Sequence, residues 1–137
     1  MAARTFQQED LVRRIFEDGW NRASFEFLVD ATAASIPFHY NGRTITVTPE
    51  SLPGVVGEWR RAFPDLAMRI RHLIASDDLV AVALTLCGTQ RGEWRGSAPT
   101  GKRVAVEEMM FFRFHDGLLV EMWEVFDEAG LEAQLRG

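Results

Sequence analysis

The chain has 137 residues, of which 47% are hydrophobic, and this predicts one globular domain over residues 1–137. Its formal net charge of -5 at pH 7 argues against nucleic acid or an anionic membrane surface as the main partner. No apolar run is long enough to span a membrane, and the N-terminus lacks the apolar segment of a secretory signal, so we expect a cytoplasmic protein.

The first half of the chain is predicted to be mostly helical. Apolar residues recur at helical spacing in three segments, which are 7–21, 24–29 and 48–63. Between them, Asn41-Gly42 is a dipeptide typical of tight turns, and it is expected to join short strands over 35–40 and 44–47. Pro49 suits the first turn of the third helix, which ends before Pro64.

The second half is predicted to be a run of antiparallel strands. Strands are expected over 68–75 and 79–90, then a loop over 92–102 and a last half-turn of helix over 129–135. Cys87, the single cysteine, lies in an apolar run and is predicted to be a buried, inert thiol. Helices followed by a meander of strands predict an α+β domain, in which a curved, mostly antiparallel sheet encloses a pocket against the N-terminal helices.

The segment 104–127 is predicted to be a long β-hairpin. Its two runs are rich in Val, Phe and Met, and they flank a polar turn. A two-residue Asp116-Gly117 turn would pair His115 with Leu118, whereas a three-residue loop would pair Phe114 with Leu118. The choice matters because a slip of one residue moves every side chain to the opposite face of the sheet.

The three-residue loop is favoured, because it collects the apolar side chains on one wall and makes Glu108 and Glu124 direct cross-strand neighbours. That wall comprises Val106, Glu108, Met110, Phe112, Val120, Met122, Glu124 and Phe126. Two carboxyl groups on an apolar wall are costly unless they are paired or protonated. Glu124 and Glu108 are therefore the predicted catalytic residues, acting as general acid and base; a structural ion pair of Glu124 with Arg113 is the alternative.

The opposite face of the hairpin is also largely apolar. It is expected to carry Met109, Phe111, Leu119, Trp123 and Val125. The predicted helices are too few to cover both faces of the sheet, so this face is expected to pack against a second copy of the chain in a homodimer.

Substrate-binding residues are predicted at both ends of the pocket. Trp20 and Asn21 follow the first helix, where an aromatic lid and an amide donor suit a flat oxygenated ligand, although helix packing also explains Trp20. His39 and Tyr40 precede the Asn41-Gly42 turn and are expected either to line the mouth or to form a solvent-facing strand end. The apolar wall of the pocket is expected to include Met110, Phe112 and Met122.

No metal or nucleotide site is predicted. The three histidines show no ligand spacing, and His72 is expected to be a core residue. Residues 96–102 match the start of a phosphate-binding loop, but that motif requires a following Ser or Thr and a helix. Arg103 and a strand follow here instead.

Several motifs identify a family resemblance. GEWRGSAPTGKRV at 92–104, the DG…E.W…D pattern at 116–127, GWN at 19–21 and FPDL at 63–66 together resemble the SnoaL-like polyketide cyclases. The resemblance covers most of the chain. It implies the cone-shaped α+β fold shared with ketosteroid isomerases and nuclear transport factors, a dimer packed through the sheet, and no cofactor or metal.

The resemblance also implies a chemistry. In related cyclases an Asp on the last strand acts as the acid/base, helped by a His on the preceding strand, and these positions match Glu124 and Met110 here. It implies a cofactor-independent enzyme of secondary metabolism that moves a proton on a polycyclic or otherwise apolar oxygenated substrate. The alternatives are a hydroxylation-associated or epoxide-opening enzyme, and a non-catalytic ligand-binding or dimerisation module.

Overall fold

A computed structural model describes residues 2–137, with side chains described from Thr5 onward. The described helices are α1 (Ala2–Arg14), α2 (Leu28–Ala31), α3 (Leu52–Ala62) and α4 (Glu128–Arg136). A π-helical segment (Ile15–Trp20) continues α1, and a 3₁₀ turn (Pro49–Ser51) precedes α3. The strands are β1 (Ile36–Tyr40), β2 (Arg43–Val47), β3 (Ala67–Ser76), β4 (Leu79–Thr89), β5 (Arg103–His115) and β6 (Leu118–Phe126).

The six strands form one curved sheet in the order β2-β1-β6-β5-β4-β3. Neighbouring strands are antiparallel except for β1 and β6, which run parallel and place Tyr40 beside Glu124. This confirms the predicted α+β fold with a mostly antiparallel sheet. The parallel junction joins the small N-terminal hairpin to the long C-terminal one, and alternation within single strands does not predict it.

The N-terminal helix packs its apolar stripe on the inner face of the sheet. Leu11, Val12, Ile15 and Phe16 are all buried, as helical spacing requires. The Phe16 ring meets Phe112 of β5 edge-on, with 6.0 Å between ring centroids. Part of the core thus lies between β5 and the continuous helix formed by α1 and the π-helical segment.

The turn of the long hairpin differs from the prediction. Asp116 and Gly117 form a two-residue turn, both with positive φ (49° and 80°), and His115 pairs with Leu118. The predicted three-residue loop is therefore wrong. Asp-Gly suits a turn in which both central residues adopt positive φ, and its twist matches that of the strands.

Beyond this turn, a β-bulge in β6 returns the following side chains to the faces of the sheet that the sequence predicted. Val120 has no partner between the pairs Phe114–Leu119 and Arg113–Glu121, so the register shifts by one residue. Farther along the hairpin, Met110 lies opposite Glu124. The direct pairing of Glu108 with Glu124 is thus wrong, although both stay on the inner face.

Only the residues next to the bulge lie on a different face of the sheet from the one predicted. Leu119 is 2% exposed and lies on the inner face, where Val120 was expected. Leu119 therefore belongs to the core and not to the outer surface of the hairpin.

Two other expectations are corrected on the outer face. A bulge between Ile70 and His72 turns His72 outward, where it is exposed and not a core residue. Cys87 is only partly buried, because it lies on the outer face of β4. Its partner on β5 is Ala105, on the same face.

Gln90 organises the loop between β4 and β5. Its side chain is fully buried, and its Nε2 donates to the carbonyl oxygens of Gly92, Ser97 and Ala98. Its Oε1 accepts from both the backbone N–H and the hydroxyl of Thr100. The side chain of Gln90 thus holds the loop together, and strand β5 follows the loop directly, as predicted from the sequence.

Candidate active site

A cavity of about 310 Å³ lies between the helices and the inner face of the sheet. Its walls are predominantly apolar and come from the π-helical segment, α3 and the central strands. The large side chains lining it include Phe16, Trp20, Trp59, Met110, Phe112 and Met122. Its volume is at the lower end of the range for small-molecule sites. The enclosed pocket predicted from the sequence is present.

Glu108 and Glu124 line this cavity, and their side chains hydrogen-bond to each other. Glu108 is 3% exposed, while Glu124 is partly exposed. The Oε1 atom of Glu108 has no partner among the described residues. The apolar wall therefore carries two carboxyl groups that interact with each other, and one of their oxygen atoms has no hydrogen-bond partner.

Burial raises the pKa of both carboxyl groups, but unequally. The pKa of Glu124 lies well above its usual range, first because of burial and then because of its hydrogen bond to Glu108 and the negative charges of Glu108 and Glu128. Burial also raises the pKa of Glu108, and the hydrogen bond from Glu124 opposes that rise. The two carboxyl groups interact directly, so they titrate as a coupled pair and not as independent groups.

A polar cluster closes one side of the cavity. The Tyr40 hydroxyl donates to Glu128 Oε1 at 2.5 Å, and Arg95 Nη1 lies 3.6 Å from the same oxygen. Burial, followed by the hydrogen bond to Glu128, raises the pKa of Tyr40, so the phenol stays protonated. Tyr40 and Arg95 both line the cavity. Arg95 thus places a positive charge at the edge of a cavity whose other side chains are mostly apolar, apart from the two glutamates.

Sequence reasoning missed Arg95 and Glu128. Arg95 has φ of 46°, and its guanidinium lies over the Trp94 ring at 4.8 Å, so the loop conformation turns it toward the cavity. Glu128 is placed in the first turn of α4 because Asp127 caps that helix by accepting from Gly130 N. The Asp-Glu-Ala-Gly sequence was the available signal for this cap.

The cavity brings together most of the predicted site residues. Those that line it are Glu108, Glu124, Trp20, Tyr40, Met110, Phe112 and Met122. The ring of Trp20 meets Trp59 edge-on, with centroids 6.4 Å apart, so Trp20 serves both helix packing and the cavity wall. Met110 lies directly opposite Glu124 in the sheet.

Two predicted substrate-binding residues lie elsewhere. Asn21 uses its whole amide on Met68, donating to its carbonyl at 3.0 Å and accepting from its N–H at 2.7 Å. His39 is paired with Trp123 in the sheet and stacks on its ring at 5.2 Å, on the outer face. Its Nε2 lies 2.6 Å from Glu121 Oε2. Neither Asn21 nor His39 lines the cavity, and His39 has an outward position, the alternative that the sequence left open for it.

Among the described residues, no cluster of His, Cys, Asp or Glu is arranged to hold a metal ion. None of the helices in residues 2–137 is long and apolar enough to cross a membrane.

The family follows from the sequence over nearly the whole chain. Residues 10–135 match the SnoaL-like polyketide cyclase model. The chain belongs to the SnoaL-like polyketide cyclase family. No curated protein sequence matches this SnoaL-like chain significantly.

Solved structures agree with this assignment. IdmH, a candidate polyketide cyclase from Streptomyces antibioticus, is 26% identical, with a TM-score of 0.80 over 93% of this chain and 97% of that one. AclR, a candidate hydroxylase from Streptomyces galilaeus, is also 26% identical, with a TM-score of 0.78 over 94% of this chain and 81% of its own.

A candidate SnoaL-like polyketide cyclase from Jannaschia sp. CCS1 has a TM-score of 0.82 at 21% identity, over 96% of this chain and 92% of its own. At that identity the likeness shows the fold. This SnoaL-like protein therefore has the cone-shaped fold that the sequence motifs implied.

Proposed function

We propose that this protein is a cofactor-independent cyclase of the polyketide type, in which Glu124 and Glu108 exchange a proton with an apolar, oxygenated substrate. The observation that carries the proposal is the hydrogen-bonded carboxyl pair in the apolar cavity. A protonated and an ionised carboxyl group side by side supply a general acid and a general base in one place.

An intramolecular aldol addition needs both roles. The carboxylate removes a proton from the carbon next to one carbonyl group, and the resulting enolate attacks a second carbonyl carbon of the same molecule. The neutral carboxyl group then donates its proton to the new alkoxide. The pair starts and ends with one proton, which returns through the Glu108–Glu124 hydrogen bond, so no cofactor is consumed.

The side chain of Met110 explains why the acid/base partner of Glu124 is a second glutamate. It lies opposite Glu124, at the position where the family resemblance implies a histidine. A thioether neither donates nor accepts a proton at neutral pH, so a side chain at this position cannot assist Glu124. Glu108 lies two residues away on the same face of β5 and provides the acid/base partner instead.

A second candidate is a hydroxylation-associated or epoxide-opening enzyme, in which the carboxylate activates water. The likeness to AclR supports it, since that protein is described as a candidate hydroxylase. A non-catalytic binding module is less well supported, because large side chains do not fill the cavity and a carboxyl pair opens on it.

The test is turnover of aromatic polyketide methyl esters by the wild-type protein and two variants. We expect Glu124→Gln to lower kcat by about 10²–10⁴-fold, since Gln keeps the shape but cannot ionise. The matched control is Glu107→Gln, adjacent to Glu108 but 63% exposed on the outer face, which should keep full activity. Full activity in Glu124→Gln would refute the proposal, and turnover of epoxides alone would favour the second candidate.

A further inference from the structure

Arg95 carries a positive charge at the open edge of an apolar cavity. Of the described residues that line the cavity, it is the one cation. Its side chain is 62% exposed, so both solvent and a ligand in the cavity can reach its guanidinium. An anionic group of a ligand could pair with Arg95 here and stay partly hydrated, which avoids the high cost of burying a charge completely.

A tight turn fixes the backbone from which Arg95 projects. Trp94 and Ser97 exchange two backbone hydrogen bonds, of 3.0 and 2.8 Å, around Arg95 and Gly96. The two central residues have φ of 46° and 84°. Such positive φ angles favour Gly, Asn or Asp, so the turn itself does not account for an arginine. The Trp94 ring, 4.8 Å from the guanidinium, helps to orient the side chain.

The ion pair of Arg95 with Glu128 leaves most of the guanidinium donors free. Arg95 Nη1 lies 3.6 Å from Glu128 Oε1, which is beyond hydrogen-bonding distance, and that oxygen already accepts from the Tyr40 hydroxyl at 2.5 Å. The two charged side chains are 62% and 42% exposed, so their pairing contributes little. A guanidinium presents several N–H donors in a planar fork that fits a carboxylate. These donors are therefore available to a ligand.

Arg95 lies on the same side of the cavity as Glu124. Tyr40 is the partner of Glu124 in the sheet. The charges of Glu124 and Arg95 both act on the phenol of Tyr40. Burial raises the pKa of Glu108 and of Glu124, so the pair repels a nearby anion less than two ionised carboxylates would. An acidic group held by Arg95 thus lies on the reacting side of the cavity, while the apolar part of the ligand fills the interior.

We propose that the polycyclic substrate of this protein carries an ionised carboxylate, and that Arg95 selects the free acid over its ester. The inference rests on the proposed function for the reacting end of the substrate and adds the charge that the substrate carries. The carboxylate accepts a bidentate pair of N–H bonds from the guanidinium, whereas an uncharged ester gains less from the same donors. Arg95 determines specificity and takes no part in the proton transfer.

The probes are an anthraquinone carboxylic acid and its methyl ester, which differ in charge at neutral pH but little in shape. Binding is followed by Trp fluorescence, because Trp20 and Trp59 line the cavity. The wild type should bind the acid about 5- to 20-fold more tightly than the ester, and Arg95→Gln should reduce this ratio to about one. Arg91→Gln is the matched control: it removes the same charge from an exposed residue of the same loop that does not line the cavity, so it should keep the wild-type ratio.

Glu128→Gln supplies a test of the opposite sign. The amide oxygen of Gln can still accept from Tyr40, while the negative charge that competes for Arg95 is lost. We expect the preference for the acid to rise about 2- to 5-fold above that of the wild type. A purely structural ion pair would instead leave the ratio unchanged in both Arg95→Gln and Glu128→Gln, and this would overturn the inference.

Three further outcomes would also overturn it. They are equal binding of acid and ester by the wild type, a preference for the acid that survives Arg95→Gln, and failure of the wild type to bind either probe. The inference and the proposed function fail separately. Retained turnover in Glu124→Gln removes the proposed chemistry but leaves the preference for the acid, because binding at Arg95 needs no proton transfer. Loss of turnover in Glu124→Gln without a preference for the acid keeps the chemistry and removes the inference.

Discussion

Glu108 and Glu124 are two positions out of register on β5 and β6, and their side chains nevertheless hydrogen-bond. Diagonal neighbours on one face of an antiparallel pair remain within reach of long side chains. Each glutamate has an apolar residue directly opposite: Phe126 faces Glu108, and Met110 faces Glu124. The diagonal thus keeps the carboxyl groups in contact while apolar neighbours bury both, and burial is the main cause of their raised pKa values.

The first prediction concerns the dependence of stability on pH. Glu124 has its ordinary pKa near 4.5 in the unfolded chain and a raised pKa in the folded protein. Between these two values the folded protein holds a proton that the unfolded chain has lost, so the free energy of unfolding falls as the pH rises. Glu124→Gln removes this dependence. We expect the variant to gain stability relative to the wild type as the pH rises above 4.5, with a constant difference below it.

Melting curves from pH 4 to pH 9 measure this difference. Glu107→Gln is again the control, because the Glu107 side chain is 63% exposed on the outer face and does not line the cavity. A lower melting temperature for Glu124→Gln at neutral pH would mean that Glu124 is the anion of a buried ion pair, and the active site would then be placed wrongly.

The shared inner face of Glu108 and Glu124 was predictable from the hydrophobic pattern, because one register collects the apolar side chains of both strands on one wall. Glu108 and Glu124 were placed on one apolar wall, and they are there. Their register was not predictable, since it combines a two-residue turn with a bulge at Val120 that compensates for it. Alternation of apolar residues reports the face of each side chain, while a bulge is decided by the local twist and packing of the assembled sheet.

The missed and misplaced site residues depend on backbone geometry that periodicity does not reveal. A loop conformation turns Arg95 toward the cavity, and a helix cap places Glu128 against Tyr40 and Arg95. For His39 the sequence left two positions open, the mouth of the pocket and an outward strand end, and the parallel pairing of β1 with β6 puts it beside Trp123 on the outer face. Tyr40, the next residue, consequently points to the cavity. Local backbone geometry thus placed Arg95 and Glu128, whereas the pairing of two strands distant in the chain placed His39 and Tyr40.

The second prediction concerns Gln90. Replacing it with Leu removes the amide that five groups of the 91–102 loop bond to, and leaves several of them unsatisfied near the protein interior. We expect a loss of about 2–4 kcal/mol in the free energy of unfolding, measured in urea. Gln134→Leu is the control, because Gln134 is exposed and bonds only Ala105, so it should lose about 1 kcal/mol. Equal losses in the two variants would contradict the role of Gln90.

The third prediction separates a structural Asn21 from a substrate-binding one. Asn21→Asp keeps the acceptor for Met68 N–H but loses the donor to the Met68 carbonyl oxygen and places a negative charge beside it. We expect a loss of about 1–3 kcal/mol in the free energy of unfolding and an unchanged KM for aromatic polyketide methyl esters. Unchanged stability with a raised KM would restore the ligand role.

The last prediction concerns the outer face of the sheet. Met109, Phe111 and Val125 are exposed there by 62%, 49% and 68%, and they lie next to one another on β5 and β6. A contiguous apolar patch of this kind in a folded domain marks an interaction surface. Around it, Glu121 is bonded to both Arg113 and His39, and Trp123 stacks on His39, so these neighbouring side chains are already ordered before any partner binds. We therefore expect the protein to form a homodimer through this face.

Sedimentation at micromolar concentration tests this expectation with two matched variants. Met109→Lys places a desolvated charge at the centre of the patch, and it should convert the dimer to a monomer, because an unpaired buried charge in an interface costs several kcal/mol. Val29→Lys makes the same kind of change at a residue on α2 that is 58% exposed and lies outside the β5–β6 patch, and this variant should remain dimeric. A monomeric wild type would contradict the prediction, and a dimer that survives Met109→Lys would place the interface elsewhere on the surface.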